Sequence, residues 1–318
     1  MEVQVLSSAH ILLLSNYHQF MKLISGSSNP ILTRKIAQSL DTSLINRDIS
    51  HFSNGEKRVC IHDNLRGENV AIIQSFVHSV DESIIETLLI IDALERMGVR
   101  HVSLVIPWMG YSLQDKVFSE GEPISAKVIA TLISDSYVKR VFLMDLHNDS
   151  IPAFFNIPTH YLNATTVFKK YLDSHLDFSQ SVIVSPDFGG LKRARTLAKI
   201  LNLPLANIDK TRDLQTGEVN AVALHGDIEN KTAVILDDVI VSGSTVVQAA
   251  DCLKKAGAKK IIFLASHALL TNNAVNDIEK SLVDQVIITN TIEHPSLPSK
   301  FEVLDVSGIF ASNLKNWT

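Results

Sequence analysis

Asp237 and Asp238 stand side by side, and four residues after the second the chain reads Ser242-Gly-Ser-Thr245. The acids can accept from sugar hydroxyls or hold a divalent cation. The Ser/Gly/Thr turn can offer hydroxyls and backbone N–H groups to an anion, a phosphate above all, where it opens a helix N-terminus. Ala233-Val-Ile-Leu236, ahead of the acids, is an uninterrupted apolar run, as in a parallel strand covered on both faces. The residues from Val246 to Lys255 fit the helix that should follow. Phosphate and sugar side by side suggest a phosphorylated ribose. The same pattern also fits any strand that ends in acids and a small-residue turn, so the rest of the chain must decide.

The elements that would position these groups recur along the sequence. Apolar runs at Lys22–Ser25, Val59–His62, Val70–Gln74, Val102–Ile106 and Arg140–Leu146 read as strands. Asn29-Pro30 opens a helix, Asp81–Met97 forms an amphipathic one with Gly98 just past its end, and Ile124–Ser134 forms a third. In the second half, Ser181–Ser185, Leu205–Ile208, Ala221–Leu224, Lys260–Ser266, Val286–Thr289 and Phe301–Asp305 read as strands. Leu191–Leu201 and Val306–Leu314 read as helices, and Thr211–Glu218 as a polar loop. Strand, crossover helix, glycine and strand follow one another both at Val70–Ile106 and at Ala233–Ala265. That repetition predicts two doubly wound α/β domains with mainly parallel sheets. A chain of 318 residues exceeds what one core usually supports. The boundaries expected are an N-terminal extension over 1–20, a first domain over 21–160 and a second over 161–318, with a linker near Asn156–Asn163.

Composition narrows the function. The net charge of −5 argues against a broad basic surface for nucleic acid, so an anionic substrate must meet local Lys and Arg inside a site. Cys60 and Cys252 are the two cysteines, with no CxxC spacing, which indicates neither a disulfide framework nor a cysteine-rich zinc site. No apolar run is long enough to cross a bilayer, and residues 1–20 lack the basic start of a secretory signal. A cytoplasmic protein without nucleic-acid or membrane partners is expected.

Ligands of open α/β sheets gather at the carboxyl ends of the strands. Those ends carry Asp145-Leu-His147, Ser185-Pro-Asp187-Phe-Gly-Gly190, Asp209-Lys210-Thr-Arg212 and the Asp237-Asp238 segment. Together with Phe52-Ser-Asn54-Gly55-Glu56, Asn64-Leu-Arg-Gly67, Gln114-Asp115-Lys116, Gly121-Glu-Pro-Ile-Ser-Ala-Lys127, Met144-Asp-Leu-His147 and Ser185–Ala194, they make the chain resemble the ribose-phosphate pyrophosphokinases (PRPP synthetases) from about Lys22 to the C-terminus.

The resemblance implies two tandem phosphoribosyltransferase-like domains, with transfer of the β,γ-diphosphoryl group of MgATP to the 1-hydroxyl of ribose 5-phosphate. It implies Lys210 and Arg212 as the catalytic pair, and a metal site for Mg2+ at His147 and Asp187. A bare imidazole and carboxylate suit that ion, which keeps waters and phosphate oxygens as ligands. It further implies ATP contacts from Phe52, Asn54, Gly55, Glu56, Gln114, Asp115 and His147, the first loop coming from a neighbouring subunit. Ribose 5-phosphate would meet Arg212, Asp237, Asp238, Val241, Ser242, Gly243, Ser244 and Thr245. Homo-oligomers built from dimers, often hexamers, are implied in the same way, and the loop Thr211–Glu218 would close over the substrates. The chain departs from the family pattern at Leu113, where an Arg is frequent, at Val241, where many members have Asp, and at Ser244, where Gly is usual. Lys116 is a candidate to compensate for Leu113. Two other readings share part of the pattern: a weakened or inactive regulatory homologue assembling with active subunits, and a nucleobase phosphoribosyltransferase. The second needs one domain and no adenine loop.

Overall fold

The computed structural model describes residues 21–212 and 219–317, and of 210–212 and 219–222 the backbone alone. The expected extension over 1–20 and the core of the expected polar loop, 213–218, lie outside the described residues. The chain forms two compact units. The first takes the described residues up to Leu143, with Ser150–His160 and the C-terminal segment from Ser307. The second takes Met144–Asp149 and Tyr161–Val306. Two segments therefore lie elsewhere than a single boundary at 160/161 would put them. The short Met144–Asp149 piece, which carries His147, belongs with the second unit. The final helix belongs with the first.

β1 (Lys22–Ser25), β4 (Asn69–Ile73), β5 (His101–Ile106), β6 (Val138–Met144) and β7 (Thr159–Leu162) form a sheet in the order β1-β4-β5-β6-β7, which belongs to the first unit except for Met144, Tyr161 and Leu162. The β1–β4, β4–β5 and β5–β6 pairs are parallel. Parallel pairing needs crossovers, and α1 (Pro30–Leu40), α2 (Val80–Arg96) and α3 (Ser125–Ser134) supply them. Asn29 caps α1 by accepting from Leu32 N at 3.2 Å, ahead of the proline that starts the helix. The motif Phe52–Glu56 forms the tip of an antiparallel hairpin, β2 (Arg47–His51) with β3 (Lys57–Ile61).

The second unit has a seven-stranded sheet in the order β10-β9-β8-β11-β12-β13-β14. Its strands are β8 (Ser181–Ser185), β9 (Leu205–Arg212), β10 (Val219–His225), β11 (Thr232–Ile240), β12 (Lys260–Ala268), β13 (Gln285–Thr289) and β14 (Phe301–Leu304). All described pairings are parallel except β9–β10 at the edge. The helices are α4 (Thr165–His175), α5 (Leu191–Leu201), α6 (Ser244–Lys255) and α7 (Ala274–Lys280). The last helix, α8 (Ser307–Lys315), packs on α1 in the first unit. Ala233 and Ile235 of β11 share a core with Val246, Ala249, Ala250 and Leu253, so α6 covers that face of the sheet. The fold is the mainly parallel α/β architecture that the sequence predicts.

Candidate functional site

In the second unit β11 runs into α6 through Val241, Ser242 and Gly243. Gly243 takes a left-handed conformation with φ 78°, and a Cβ there would lie 3.1 Å from Ile278 side-chain atoms and 3.4 Å from the Ala274 carbonyl. Only glycine meets both demands without strain. Ser242 and Ser244 are exposed, with their hydroxyls 3.1 Å apart. The turn from Val239 to Val246 lines a small cavity of about 160 Å³. It therefore presents hydroxyls at the start of a three-turn helix, where the macrodipole favours an anion.

The acids lie just before this cradle. Asp238 is buried, at 3% exposure. Its Oδ2 lies 2.8 Å from His147 Nδ1, and its Oδ1 accepts from Arg193 Nη1 at 3.1 Å. Asp237 accepts from the Asp238 N–H at 2.9 Å and stands 3.7 Å from Arg193. Burial first, then the charges of Asp238 and Asp187, hold the Asp237 carboxyl well above its ordinary range. Burial would raise Asp238 too, but the His147 hydrogen bond and Arg193 hold it below that range. The pair thus splits into one ionised carboxylate and one that binds a proton readily, as close like charges do. Asp187, after β8, accepts from Gly190 N at 2.9 Å at the entry to α5.

Arg193 is the residue that sequence reasoning passed over. It lies inside the Ser185–Ala194 motif, on the first turn of α5, four residues before the buried Leu197. A cation one turn ahead of a buried position, following a strand-end carboxylate, was the available signal. A second support is the shelf beneath His147. Asp145 leaves β6 in a left-handed conformation, φ 38°, so the strand stops at Met144, short of the expected Leu146. The Asp145 carboxylate accepts from Ala164 N at 2.9 Å and from the Ser266 hydroxyl. His267, fully buried, holds Nε2 3.1 Å from both the Met144 and the Asp145 carbonyls. Carbonyls only accept, so Nε2 carries a hydrogen.

The structure thus brings His147, Asp187, Asp237 and Asp238 to one edge of the second unit, beside Val241–Thr245. Lys210 and Arg212 lie on β9, which extends past the expected Ile208 and pairs with β10, Lys210 opposite Val222 and Arg212 opposite Val219. Among the described residues, no three His, Cys, Asp or Glu side chains are arranged to hold a metal by themselves. His147 and Asp187 at this edge supply one imidazole and one carboxylate, a donor set that fits a divalent cation held mostly by waters and phosphate oxygens.

The remaining candidates belong to the first unit. At the hairpin tip, Phe52 N donates to the Glu56 carbonyl at 2.8 Å and Gly55 N to the Phe52 carbonyl at 2.9 Å. Glu56 N donates to Asn54 Oδ1 at 3.2 Å, and at Gly55, φ 89°, an added Cβ would point into open space. Phe52 is half exposed, which leaves a ring face for stacking. Gln114 accepts from the Ser125 hydroxyl and, through its carbonyl, from Ala126 N at 3.1 Å, which fixes the Gln114-Asp115 turn on the start of α3. Lys116 Nζ lies 5.1 Å from the centre of the Phe118 ring.

The site can be set beside known proteins. Residues 21–136 match the family model for the N-terminal domain of ribose phosphate pyrophosphokinase, and residues 213–317 match that for the phosphoribosyl synthetase-associated domain. The ribose-phosphate pyrophosphokinase of Helicobacter hepaticus is 36% identical over 294 residues, covering 92% of this chain and 94% of the relative. That of Thermotoga maritima is 38% identical over 291 residues, covering 91% and 92%. The crystal structure of phosphoribosylpyrophosphate synthetase from Mycobacterium smegmatis superposes with a TM-score of 0.87 at 30% identity, covering 93% of this chain and 98% of that one. On this similarity over nearly its whole length, the chain belongs to the ribose-phosphate pyrophosphokinase family of enzymes.

Proposed function

We propose that the protein transfers the β,γ-diphosphoryl group of ATP to the 1-hydroxyl of ribose 5-phosphate, giving PRPP and AMP. The O1 oxygen attacks the β-phosphorus, the bond from that phosphorus to the α,β-bridging oxygen breaks, and AMP leaves as the 1-hydroxyl proton is lost. The observation that carries this reading is the acid pair set directly before a Ser/Gly/Ser/Thr helix entry, within a chain that matches the family over 92% of its length. Ser242, Gly243, Ser244 and Thr245, with Val241 leading in, take the 5-phosphate through hydroxyls and N–H groups. The acidic pair stands beside this cradle, on the side where the ribose would lie.

Mg2+ would be held by His147 and Asp187, and would neutralise charge on the phosphoryl oxygens. Lys210 and Arg212 stabilise charge that builds on the transferring group, and Arg212 also meets the ribose phosphate. Phe52 stacks on adenine while Asn54, Gly55 and Glu56 read its edge, contributed from a second subunit of a dimer-based assembly. Gln114, Asp115 and His147 complete the nucleotide contacts.

The test is AMP release from ATP with Mg2+ and phosphate present, measured with and without ribose 5-phosphate. We expect AMP in equal amount to PRPP, and only with the sugar phosphate. Pure protein that releases no AMP would leave the regulatory homologue standing. PRPP consumption with a free base would favour the phosphoribosyltransferase.

A further inference from the structure

The two acids are not engaged alike. Asp237 and Asp238 are successive residues of β11 at the end where Arg193, from the start of α5, lies between them, 3.1 Å from Asp238 Oδ1 and 3.7 Å from Asp237 Oδ1. Both Asp238 oxygens are engaged within the protein, Oδ1 by Arg193 and Oδ2 by His147 Nδ1 at 2.8 Å, and the residue is 3% exposed.

We propose that Asp238 is a positioning residue for His147 and not a ribose contact, which leaves the ribose hydroxyls to Asp237. An ionised carboxylate only accepts, so the hydrogen between the two residues sits on His147 Nδ1. In the neutral ring the lone pair is then on Nε2, the form of imidazole that ligates a cation. A carboxylate behind a ligating histidine fixes both its tautomer and its ring orientation. Arg193 in turn fixes the carboxylate. The three residues form one line, α5 to β11 to the segment after β6, that sets the direction of the His147 ring. This inference rests on the diphosphoryl-transfer reading for the identity of the ligands, but not for the geometry.

Two measurements test it in the full-length protein. With 15N-histidine labelling, and His147 identified by its loss in His147→Gln, the wild-type ring should show a protonated Nδ1 and an unprotonated Nε2. The opposite tautomer overturns the proposal, and this readout needs no variant of Asp238 that folds. By calorimetry, Asp238→Asn should bind ribose 5-phosphate within about twofold of wild type while kcat drops roughly 10–100-fold, the usual range for removing such a support. Asp237→Asn should weaken ribose 5-phosphate binding about tenfold or more, the scale of losing a charged hydrogen-bond acceptor. Equal loss of ribose 5-phosphate affinity in the two variants overturns the division of labour. If the wild type binds no ribose 5-phosphate, the proposed activity falls, while the tautomer still judges Asp238.

Discussion

Each unit has a strand that runs into a crossover helix, and the two fill that junction differently. After β4 in the first unit come Gln74 and Ser75, both fully buried. Gln74 Oε1 accepts from the Ser28 N–H and hydroxyl at 3.1 and 2.8 Å, and its Nε2 donates to Glu86 at 3.1 Å. Glu86, also fully buried, takes Ser27 N at 2.7 Å, the Ser27 hydroxyl at 2.8 Å and Lys57 Nζ at 3.0 Å. A Cβ on Gly26 would strike Gln74 Oε1 at 2.0 Å. That junction is packed shut with the chain's own donors and its own cation. After β11 the corresponding residues are exposed hydroxyls around a left-handed glycine, with Asp237 held above its ordinary range by burial and its acidic neighbours. One architecture therefore closes its junction in one unit and leaves it open in the other, and the difference lies in who satisfies the polar groups.

The comparison breaks most visibly if cations on the two sides prove interchangeable in effect. Lys210→Ala should lower kcat about 10³-fold, the scale of removing one charge-stabilising donor, and leave the urea midpoint where it was. A loss of stability in place of the loss of rate would move Lys210 from the site to the scaffold. Lys57→Met should do the reverse in the first unit. It leaves Glu86 buried without its cation, which costs about 3 kcal/mol of unfolding free energy. Adding Glu86→Gln should return much of that, since the uncompensated charge is then gone. A double variant no better than the single one would show that the ion pair is not what closes the junction.

Gly243→Ala is the smaller test, on the open side. At φ 78° a side chain is strained, and the new Cβ would press on Ile278. We expect a cost of about 1–2 kcal/mol and a KM for ribose 5-phosphate raised about tenfold with the KM for ATP unchanged. Equal rises in both would detach the turn from the phosphate.

Much of this organisation was legible in the sequence, for reasons that differ by element. β4, β5, β8 and β11 are continuous apolar runs because both faces are covered, and such runs announce themselves. β2 did not, since Arg47-Asp-Ile-Ser-His51 has too little apolar alternation to mark a strand and is held by pairing with β3. Nor did β7, whose Thr159–Leu162 looks like a connection and becomes a strand only at the sheet edge. The membership of α8 in the first unit depends on packing against α1, which local pattern does not encode. At the site, the types and order of residues carried the family. What no local pattern carried was the pairing of Asp238 with His147, which are 91 residues apart.

The least forceful test uses pH, and here the two units should differ in sign. Glu82 on α2 is held down to about 2 from 4.5, first by its hydrogen bond to Lys57 and then by that to His51. Between those values the unfolded chain takes up a proton at this position and the folded one does not, so stability falls as pH drops from 4.5 toward 2. Asp237 is displaced upward from 3.8 by burial and by Asp238 and Asp187, so there the folded protein holds the extra proton. Its contribution is present in acid and is lost as pH rises above 3.8. Urea midpoints measured across this range should therefore show Glu82→Gln flattening the acid limb and Asp237→Asn flattening a loss on the other side. Glu82 is half-buried and still open to solvent, so its contribution is damped by salt. If both variants flatten the same limb, the acids of the two units are held by the same forces, and the contrast between a junction closed by its own cation and one left for a ligand's fails.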